Sequence, residues 1–225
     1  MRQALIFDVF GTCVDWRSSV ARQVADVLPG VDPLSFADAW RAEYQPAMER
    51  IRAGNRGYVP LDDLHFENLQ VVLDRLGVVC SDLEQLSRAW ERLAPWPDTV
   101  PGLLALKKSH IVAPCSNGSI ALMTRLGKYS GMPWDCILGA DLARDYKPKA
   151  EVYRASVAAL RLQPSEVVMV AAHNDDLFAA RAAGLKTAFV ARPTEHGPGQ
   201  MTDLAPESDW DWIATDFLHL AEQMA

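Results

Sequence analysis

The hydrophobic residues of the chain fall into five short runs separated by longer segments with helical spacing. Each run is apolar and bounded by turn-forming or charged residues, which is typical of strands covered on both faces. Helical patterns follow near residues 119–128, 149–160 and 176–183. This alternation predicts an α/β fold with a parallel sheet, and we expect its strands at residues 4–7, 111–115, 136–138, 167–172 and 187–191.

The stretch from residue 16 to residue 97 has a different pattern, because its apolar residues recur at helical spacing, as in Trp40, Tyr44, Met48 and Ile51. We expect an all-helical lid that is entered at residues 11–15 and left through the proline-containing linker 94–102. The predicted organisation is an α/β core of residues 1–13 and 98–225 with a helical cap of residues 14–97. Residues 192–209 are expected to form a long loop before a last helix at about 210–223.

Polar side chains follow the predicted strands. In an open parallel sheet the carboxyl ends of the strands lie at one edge, which is where ligands bind. An acid, a hydroxyl with an amide, a lysine and a histidine–aspartate cluster are therefore expected to meet in one crevice. These residues are Asp8, then Ser116, Asn117 and Gly118, then the segment 141–147 that ends in Lys147, and finally His173, Asn174, Asp175 and Asp176.

Each of these residues also has an ordinary structural interpretation. Asp8 precedes Gly-Thr, a common turn, and Ser116 and Asp176 are common helix N-caps. Lys147 is compatible with a solvated loop lysine, and His173 with a histidine satisfied at a strand end. Their shared position at strand ends favours one common site over four separate explanations.

Composition and charge exclude several classes of function. The chain has 225 residues, of which 49% are hydrophobic and 23% charged, as in ordinary globular proteins. Its 22 basic and 29 acidic residues give a net charge of −7, so we expect no broad basic surface for nucleic acid or anionic lipid. The apolar runs are too short to span a membrane, and Asp8 interrupts the N-terminal run. We therefore expect a cytoplasmic protein that acts on a small molecule.

Several common catalytic signatures are missing from the sequence. There is no G-x-G-x-x-G after a strand, no G-x-x-x-x-G-K-[ST], no H-E-x-x-H and no G-x-S-x-G. The four cysteines include no C-x-x-C pair, so a zinc site is not indicated. The nicotinamide, nucleotide, zincin and serine-hydrolase classes are thereby excluded.

Four ordered motifs resemble those of the haloacid dehalogenase superfamily. They are FDVFGT (7–12), CSNGS (115–119), YKPKAEVY (146–153) and AAHNDDLFAARAAGL (171–185). The resemblance implies a Rossmann-like core with a helical cap after the first motif. Phosphatases of the superfamily begin D-x-D-G-T and end in G-D-x-x-x-D, whereas Phe10 and Ala172 stand here at two of those acids. Because magnesium-dependent phosphoryl transfer needs those carboxylates, we expect no metal and no cofactor.

These departures resemble the type II L-2-haloacid dehalogenases, which open with D-x-[YF]-G-T. The resemblance implies that Asp8 attacks the halogen-bearing carbon of a short 2-haloacid and that water then cleaves the aspartyl ester, giving a 2-hydroxy acid and halide. L-2-Haloalkanoates and haloacetates are the expected substrates. A nearby Lys147 would favour ionised Asp8, and Phe10 would make the pocket more apolar.

The resemblance also implies roles for other residues. Thr12 and Ser116 would orient Asp8 or the substrate carboxylate, and Arg41 on a cap helix would accept the departing halide. An exposed helix arginine is the competing interpretation of Arg41. The residues expected to act in catalysis are Asp8, Arg41, Lys147, His173 and Asp176, and those expected to bind substrate or halide are Phe10, Thr12, Arg41, Ser116, Asn117, Tyr153 and Asn174.

One position departs from the better-known dehalogenases of this branch. They carry an asparagine where this chain has His173, and a serine where it has Ala171. We hypothesise that His173, oriented by Asp176, activates or holds the water that cleaves the ester, because imidazole has a pKa suited to that work.

Two other functions stay open at this point. The first is a phosphatase on the same scaffold whose metal site is rebuilt around Asp175. The second is a non-catalytic module that binds a partner protein through its cap, with the strand-end acids serving as helix caps. Because dimers are common in this family, a homodimer is compatible with the sequence.

Overall fold

The computed structural model describes residues 4–225 and is built on a parallel sheet. Its strands are β1 (Ala4–Phe7), β2 (Val14–Asp15), β3 (Ala94–Pro95), β4 (Ile111–Ser116), β5 (Leu138–Gly139), β6 (Val167–Ala171), β7 (Lys186–Val190) and β8 (Trp212–Ala214). Six of them form the sheet, in the order β5-β4-β1-β6-β7-β8, with every pair parallel. The five predicted strands and the α/β class are confirmed, with strand ends shifted by one or two residues.

The central strand β1 is buried on both faces, since helices cover both sides of the sheet. Leu5 and Phe7 belong to one hydrophobic cluster, and Ala4 and Ile6 belong to the cluster on the opposite face. Backbone pairing with β4 and β6 on either side fixes this strand further. The residue that follows β1, Asp8, is therefore carried by a rigid support.

The chain between β2 and β3 is helical. It forms α1 (Trp16–Val27), α2 (Pro33–Ala42), α3 (Tyr44–Arg52), α4 (Leu61–Leu76), α5 (Leu83–Ser87) and a 3₁₀ turn at Arg88–Glu91. Asp15, Asp32 and Asp82 begin three of these helices, and each side chain accepts a hydrogen bond from the backbone N–H three residues later. An inserted helical cap is confirmed, while its bounds at residues 14 and 97 stay a prediction.

The expectation that this segment contains no strand was wrong at its end. Strand β3 pairs antiparallel with β2, so that Val14 lies opposite Pro95 and Asp15 opposite Ala94. The two pairs hold the outgoing and returning chain side by side. Apolar spacing does not reveal so short a strand, because each partner contributes only two residues.

The helices of the core alternate with its strands, and the last helix follows β8. They are α6 (Thr99–Leu106), α7 (Ile120–Ser130), α8 (Ala140–Ala143), α9 (Ala150–Ala159), α10 (Asn174–Ala182) and α11 (Phe217–Gln223). The predicted last helix at 210–223 was wrong in its first half, since residues 212–214 pair with β7 as the edge strand β8. Helix α11 begins only after Asp216, whose carboxylate accepts a hydrogen bond from the His219 backbone N–H. None of the helices in residues 4–225 is long and apolar enough to cross a membrane.

Candidate active site

Asp8 lies immediately after β1, and several groups hold its carboxylate. Its backbone N–H donates to the Val170 carbonyl at 2.9 Å, which continues the pairing of β1 with β6 past the end of the strand. Oδ1 lies 2.8 Å from the Lys147 ammonium, and Oδ2 accepts a hydrogen bond from the Thr12 hydroxyl at 2.8 Å. The His173 Nδ1 atom lies 3.2 Å from Oδ2. Burial alone would raise the pKa of Asp8, but Lys147 and His173 together lower it well below its usual value.

Lys147 bridges two buried carboxylates. Its ammonium lies 2.8 Å from Asp8 and 2.5 Å from Asp176, and the second oxygen of Asp176 accepts a hydrogen bond from the Tyr153 hydroxyl. Burial would lower the pKa of Lys147, but the charges of Asp176 and Asp8 raise it well above its usual value. Burial and the Asp8 charge raise the pKa of Asp176 despite the Lys147 ammonium beside it. The structure thus brings Lys147, Asp176 and Tyr153 together with Asp8, as the motifs suggested.

Three more of the residues expected from the sequence to act in the site, Thr12, Asn117 and Ser116, form hydrogen bonds that hold the chain around this cluster. Thr12 accepts a hydrogen bond from the Ala172 backbone N–H at 2.9 Å, so its hydroxyl links the ends of β1 and β6. Asn117 accepts from the Lys147 backbone N–H at 2.8 Å and donates to the Tyr44 hydroxyl of the cap at 3.1 Å. The buried Ser116 hydroxyl accepts from the Gly118 backbone N–H at 3.0 Å, which shapes the turn after β4.

A cavity of about 960 Å³ opens in front of Asp8 between the core and the cap. Its walls include Phe10 from the loop after β1 and Arg41 from α2. The Arg41 guanidinium carbon lies 3.9 Å from the centroid of the Tyr44 ring and 5.4 Å from that of Trp16. Among the described residues, its buried Nη1 atom has no hydrogen-bond partner. Arg41 is therefore not an exposed helix arginine, and it presents an unused donor beside the cavity.

His173 follows the end of β6 and contacts two carboxylates. Nδ1 faces Asp8, and Nε2 lies 2.8 Å from the Oε2 atom of Glu195. The expectation that Asp176 orients His173 was wrong, since the Asp176 oxygens are taken by Lys147 and Tyr153. Burial would lower the pKa of His173, but Glu195 and Asp8 raise it well above its usual value.

Glu195 is not among the residues predicted from the sequence. It lies in the segment after β7, which is expected from the sequence to be a long loop, and its side chain is only 1% exposed. The rule used for the other strands, that polar residues beyond a carboxyl end face the crevice, applies equally to β7. Applied to that strand, the rule would have indicated the stretch that contains Glu195.

Asn174 does not line the cavity, although it was predicted to bind substrate. Its backbone and side-chain N–H groups donate to the Asp203 carboxylate at 2.8 and 2.9 Å. Its side-chain oxygen accepts from the Glu207 backbone N–H and from the Trp210 indole at 2.9 and 3.1 Å. With both ends of the amide engaged, Asn174 ties the segment after β7 to the start of α10.

The residues around Asp8 do not fit a magnesium site. Lys147 and His173 already contact its two oxygens, and Phe10 and Ala172 occupy positions where magnesium-dependent relatives carry carboxylates. Asp175 faces the same cavity. Within residues 4–225, however, no three His, Cys, Asp or Glu side chains are arranged to hold a metal ion. The charges near Asp8 are balanced by cationic side chains instead.

Comparison with known proteins gives a consistent picture. A family model described as haloacid dehalogenase-like hydrolase matches residues 3–184. The crystal structure of a defluorinating L-2-haloacid dehalogenase is 48% identical, covers 99% of this chain and 94% of its own, and superposes with a TM-score of 0.95. A second L-2-haloacid dehalogenase structure is 47% identical, with full coverage of both chains and a TM-score of 0.96. The (S)-2-haloacid dehalogenase H-109 of Pseudomonas putida is 26% identical over 92% of this chain and 97% of its own length.

Proposed function

The chain belongs to the haloacid dehalogenase-like hydrolases, in the branch of the L-2-haloacid dehalogenases, and from this premise we propose that it hydrolyses the carbon–halogen bond of short 2-haloacids. The products are the 2-hydroxy acid and halide. The observation that carries the proposal is the Asp8 carboxylate, held by Lys147, Thr12 and His173 at the wall of the cavity between core and cap.

Asp8 is the proposed nucleophile of the first step. One of its oxygens forms a bond to the carbon that carries the halogen, and the halide leaves from the opposite side with the bonding electrons, which inverts that carbon. Lys147 and His173 keep the carboxylate ionised without a metal, since each contacts one of its oxygens. Thr12 fixes the plane of the carboxylate through its hydrogen bond to Oδ2.

Arg41 is the proposed acceptor of the leaving halide. Its guanidinium is stacked on Tyr44, and its buried Nη1 has no partner within residues 4–225, which suits a small anion that departs toward an aromatic wall. Phe10 and Asn117 line the same cavity and limit the size of the group bound at the reacting carbon. Ser116 and Tyr153 are assigned supporting roles, because the former shapes the turn that presents Asn117 and the latter fixes Asp176.

In the second step water attacks the carbonyl carbon of the Asp8 ester and releases the 2-hydroxy acid. His173 is the proposed acceptor of the water proton, since its ring lies in the cavity wall beside Asp8. Lys147, with Asp176 behind it, stabilises the negative charge that develops on the ester oxygen nearest to it.

A halide-release assay tests the proposal. Purified enzyme is incubated with L-2-chloropropionate or chloroacetate in EDTA, and chloride is measured alongside an Asp8→Asn variant. We expect chloride release that EDTA does not diminish and that the variant lacks. Absence of chloride release from a panel of short 2-haloacids would contradict the proposal. Magnesium-dependent turnover of a phosphate monoester would indicate that the protein is a phosphatase instead.

Three finer expectations accompany this function. The cap bounds at residues 14 and 97, a homodimer in solution and a cytoplasmic location all remain predictions. The molar mass measured by light scattering in solution tests the homodimer, because a monomer of this chain has a mass of 24.9 kDa.

A further inference from the structure

Glu195 is a carboxylate buried against the site that the proposed reaction does not otherwise use. Its Oε1 accepts a hydrogen bond from the Trp16 indole at 3.0 Å, and its Oε2 lies 2.8 Å from the His173 Nε2. The His196 Nε2 atom lies 3.5 Å from Oε1. Burial would raise the pKa of Glu195, but the His173 charge lowers it, so the group is an anion at neutral pH. A buried anion held on both oxygens has one orientation.

The loop after β1 is shaped around this carboxylate. Gly11 has a φ of +89°, and a Cβ atom built there would lie 2.0 Å from the Glu195 Oε1 and 2.2 Å from its Cδ. Only glycine at this position leaves space for the carboxylate and accepts the backbone conformation without strain. A side chain at position 11 would therefore displace the Glu195 carboxylate from its place beside His173.

The two carboxylates decide how His173 is protonated. Asp8 and Glu195 are both acceptors, so both ring nitrogens carry protons in the free enzyme. Formation of the ester on Asp8 removes one of the two negative charges, and the pKa of His173 falls accordingly. The proton on Nδ1 can then pass to solvent, as the proton that accompanies the released halide, because Glu195 still holds the proton on Nε2.

We infer that Glu195 is a positioning residue for ester cleavage, which it serves by holding His173 in the tautomer whose bare Nδ1 faces the Asp8 ester. This inference rests on the proposed function. It assigns a second residue to the hydrolytic step, since neither Asp176 nor Lys147 contacts the His173 ring through a hydrogen bond in the described chain.

Ester cleavage moves one proton of the attacking water through His173. The water oxygen bonds to the Asp8 carbonyl carbon while one water proton moves to Nδ1 of His173. The bond from that carbon to the bridging oxygen, which came from Asp8 and is now bonded to the substrate carbon, then breaks, and the imidazolium returns the proton to that oxygen of the departing 2-hydroxy acid. Asp8 is left as a carboxylic acid, whose proton passes to His173 and restores the ion pair of the free enzyme.

Rapid-quench kinetics with enzyme in excess over L-2-chloropropionate test the inference, because chloride reports ester formation and 2-hydroxypropionate reports ester cleavage. For Glu195→Gln we expect chloride release within about tenfold of the wild-type rate and 2-hydroxypropionate release slowed by about 10²–10⁴-fold. Equal rates of 2-hydroxypropionate release would overturn the inference. A wild-type enzyme that releases no chloride would instead overturn the proposed function. Glu84→Gln is the control, since it removes one charge from a side chain that is 78% exposed.

The pH profile of ester cleavage gives a readout that a merely structural role would not change. The wild-type rate should rise with pH until His173 in the ester is neutral. Loss of the Glu195 charge lowers the pKa of His173, so the inflection should move to lower pH in Glu195→Gln. An unmoved inflection would contradict the inference. Two carboxylates contact the His173 ring, those of Asp8 and Glu195. The other charged or titratable groups that line the same cavity are Arg41, Tyr44, Glu49, Arg52, Lys147, Lys149, Asp175, Asp176, His196 and Asp203.

Two further variants test the same inference if the Glu195→Gln protein does not fold. Gly11→Ala displaces the Glu195 carboxylate with its charge retained, and Gly30→Ala imposes the same strain at a φ of +90° with nothing within 4 Å. We expect slow ester cleavage only in Gly11→Ala, and equal behaviour of the two variants would count against the inference. In a His173→Ala background, Glu195→Gln should slow cleavage no further, whereas an additional tenfold loss would show that Glu195 acts elsewhere.

Discussion

Replacement of Lys147 by methionine removes the single ammonium that separates two buried carboxylates. Methionine keeps an unbranched apolar chain of similar length, so the main change is electrostatic. Asp8 and Asp176 then face each other without the cation that lies 2.8 and 2.5 Å from them. Both carboxylates remain buried, so either one of them binds a proton or the two negative charges repel each other.

The expected loss of stability follows from this geometry. Removal of one partner from a buried ion pair costs about 3–5 kcal/mol, and Lys147 and both carboxylates are at least nine-tenths buried. The loss should depend on pH. In the wild type Asp8 has a lowered pKa, so its contribution is complete above the ordinary value of 3.8 and declines as the pH falls below it.

The pKa of Asp176 is already raised in the wild type, although Lys147 opposes that shift. Without Lys147 it rises further, so the variant loses more stability than the wild type as the pH rises above 3.8. The difference between the two proteins should therefore shrink on acidification, by at most about 1.4 kcal/mol per pH unit.

Urea unfolding of both proteins at about pH 8 and about pH 5 measures this difference. Lys149→Met is the matched control, because Lys149 is 36% exposed and pairs with Asp145 at 2.7 Å. Such a surface pair contributes about 0–1 kcal/mol. A Lys147→Met protein as stable as Lys149→Met, or one whose deficit grows on acidification, would refute the electrostatic account of Asp8. Chloride release should also fall in Lys147→Met, since Oδ1 of Asp8 loses the ammonium that holds it and His173 alone remains to favour the ionised carboxylate.

Two further substitutions separate the support of the site from its chemistry. Thr12→Val should destabilise the protein by about 1–3 kcal/mol in urea unfolding, because the Ala172 N–H loses its acceptor and Oδ2 of Asp8 loses its hydroxyl donor. Thr124→Val, at an exposed hydroxyl, should change stability by less than about 0.5 kcal/mol. Asn174→Ala should also destabilise by about 1–3 kcal/mol and should leave the KM for L-2-chloropropionate unchanged. A raised KM with unchanged stability would show that Asn174 binds substrate, as the sequence predicted.

The strands of the core could be predicted closely because each is a short apolar run covered on both faces. The same reasoning indicated that the residues beyond their ends would meet, and Asp8, Lys147 and Asp176 do lie in contact. What limits such prediction is hydrogen bonding between segments distant along the chain. Strand β8 forms only because β7 offers it a partner, and its own three residues do not distinguish it from a helix.

The partner of His173 illustrates the same limit inside the site. Asp176 is three residues away along the chain and shares a motif with it, which favours their pairing on sequence grounds. Glu195 is 22 residues away and contacts it because the segment after β7 folds back over the edge of the sheet. Asn174 is the opposite case. It is next to His173 in the sequence, but its side chain donates to Asp203 in the segment after β7 and does not face the site.

The central claim is that Asp8 becomes covalently attached to the substrate and is freed by water that attacks its own carbonyl carbon. A single turnover in water enriched in oxygen-18, with enzyme in excess over L-2-chloropropionate, tests this directly. Mass spectrometry then measures the masses of the product and of the peptide that contains Asp8. The account predicts one heavy oxygen in Asp8 and an unlabelled 2-hydroxypropionate. Heavy oxygen in the product with none in Asp8 would show that water attacks the substrate itself, and would contradict the account.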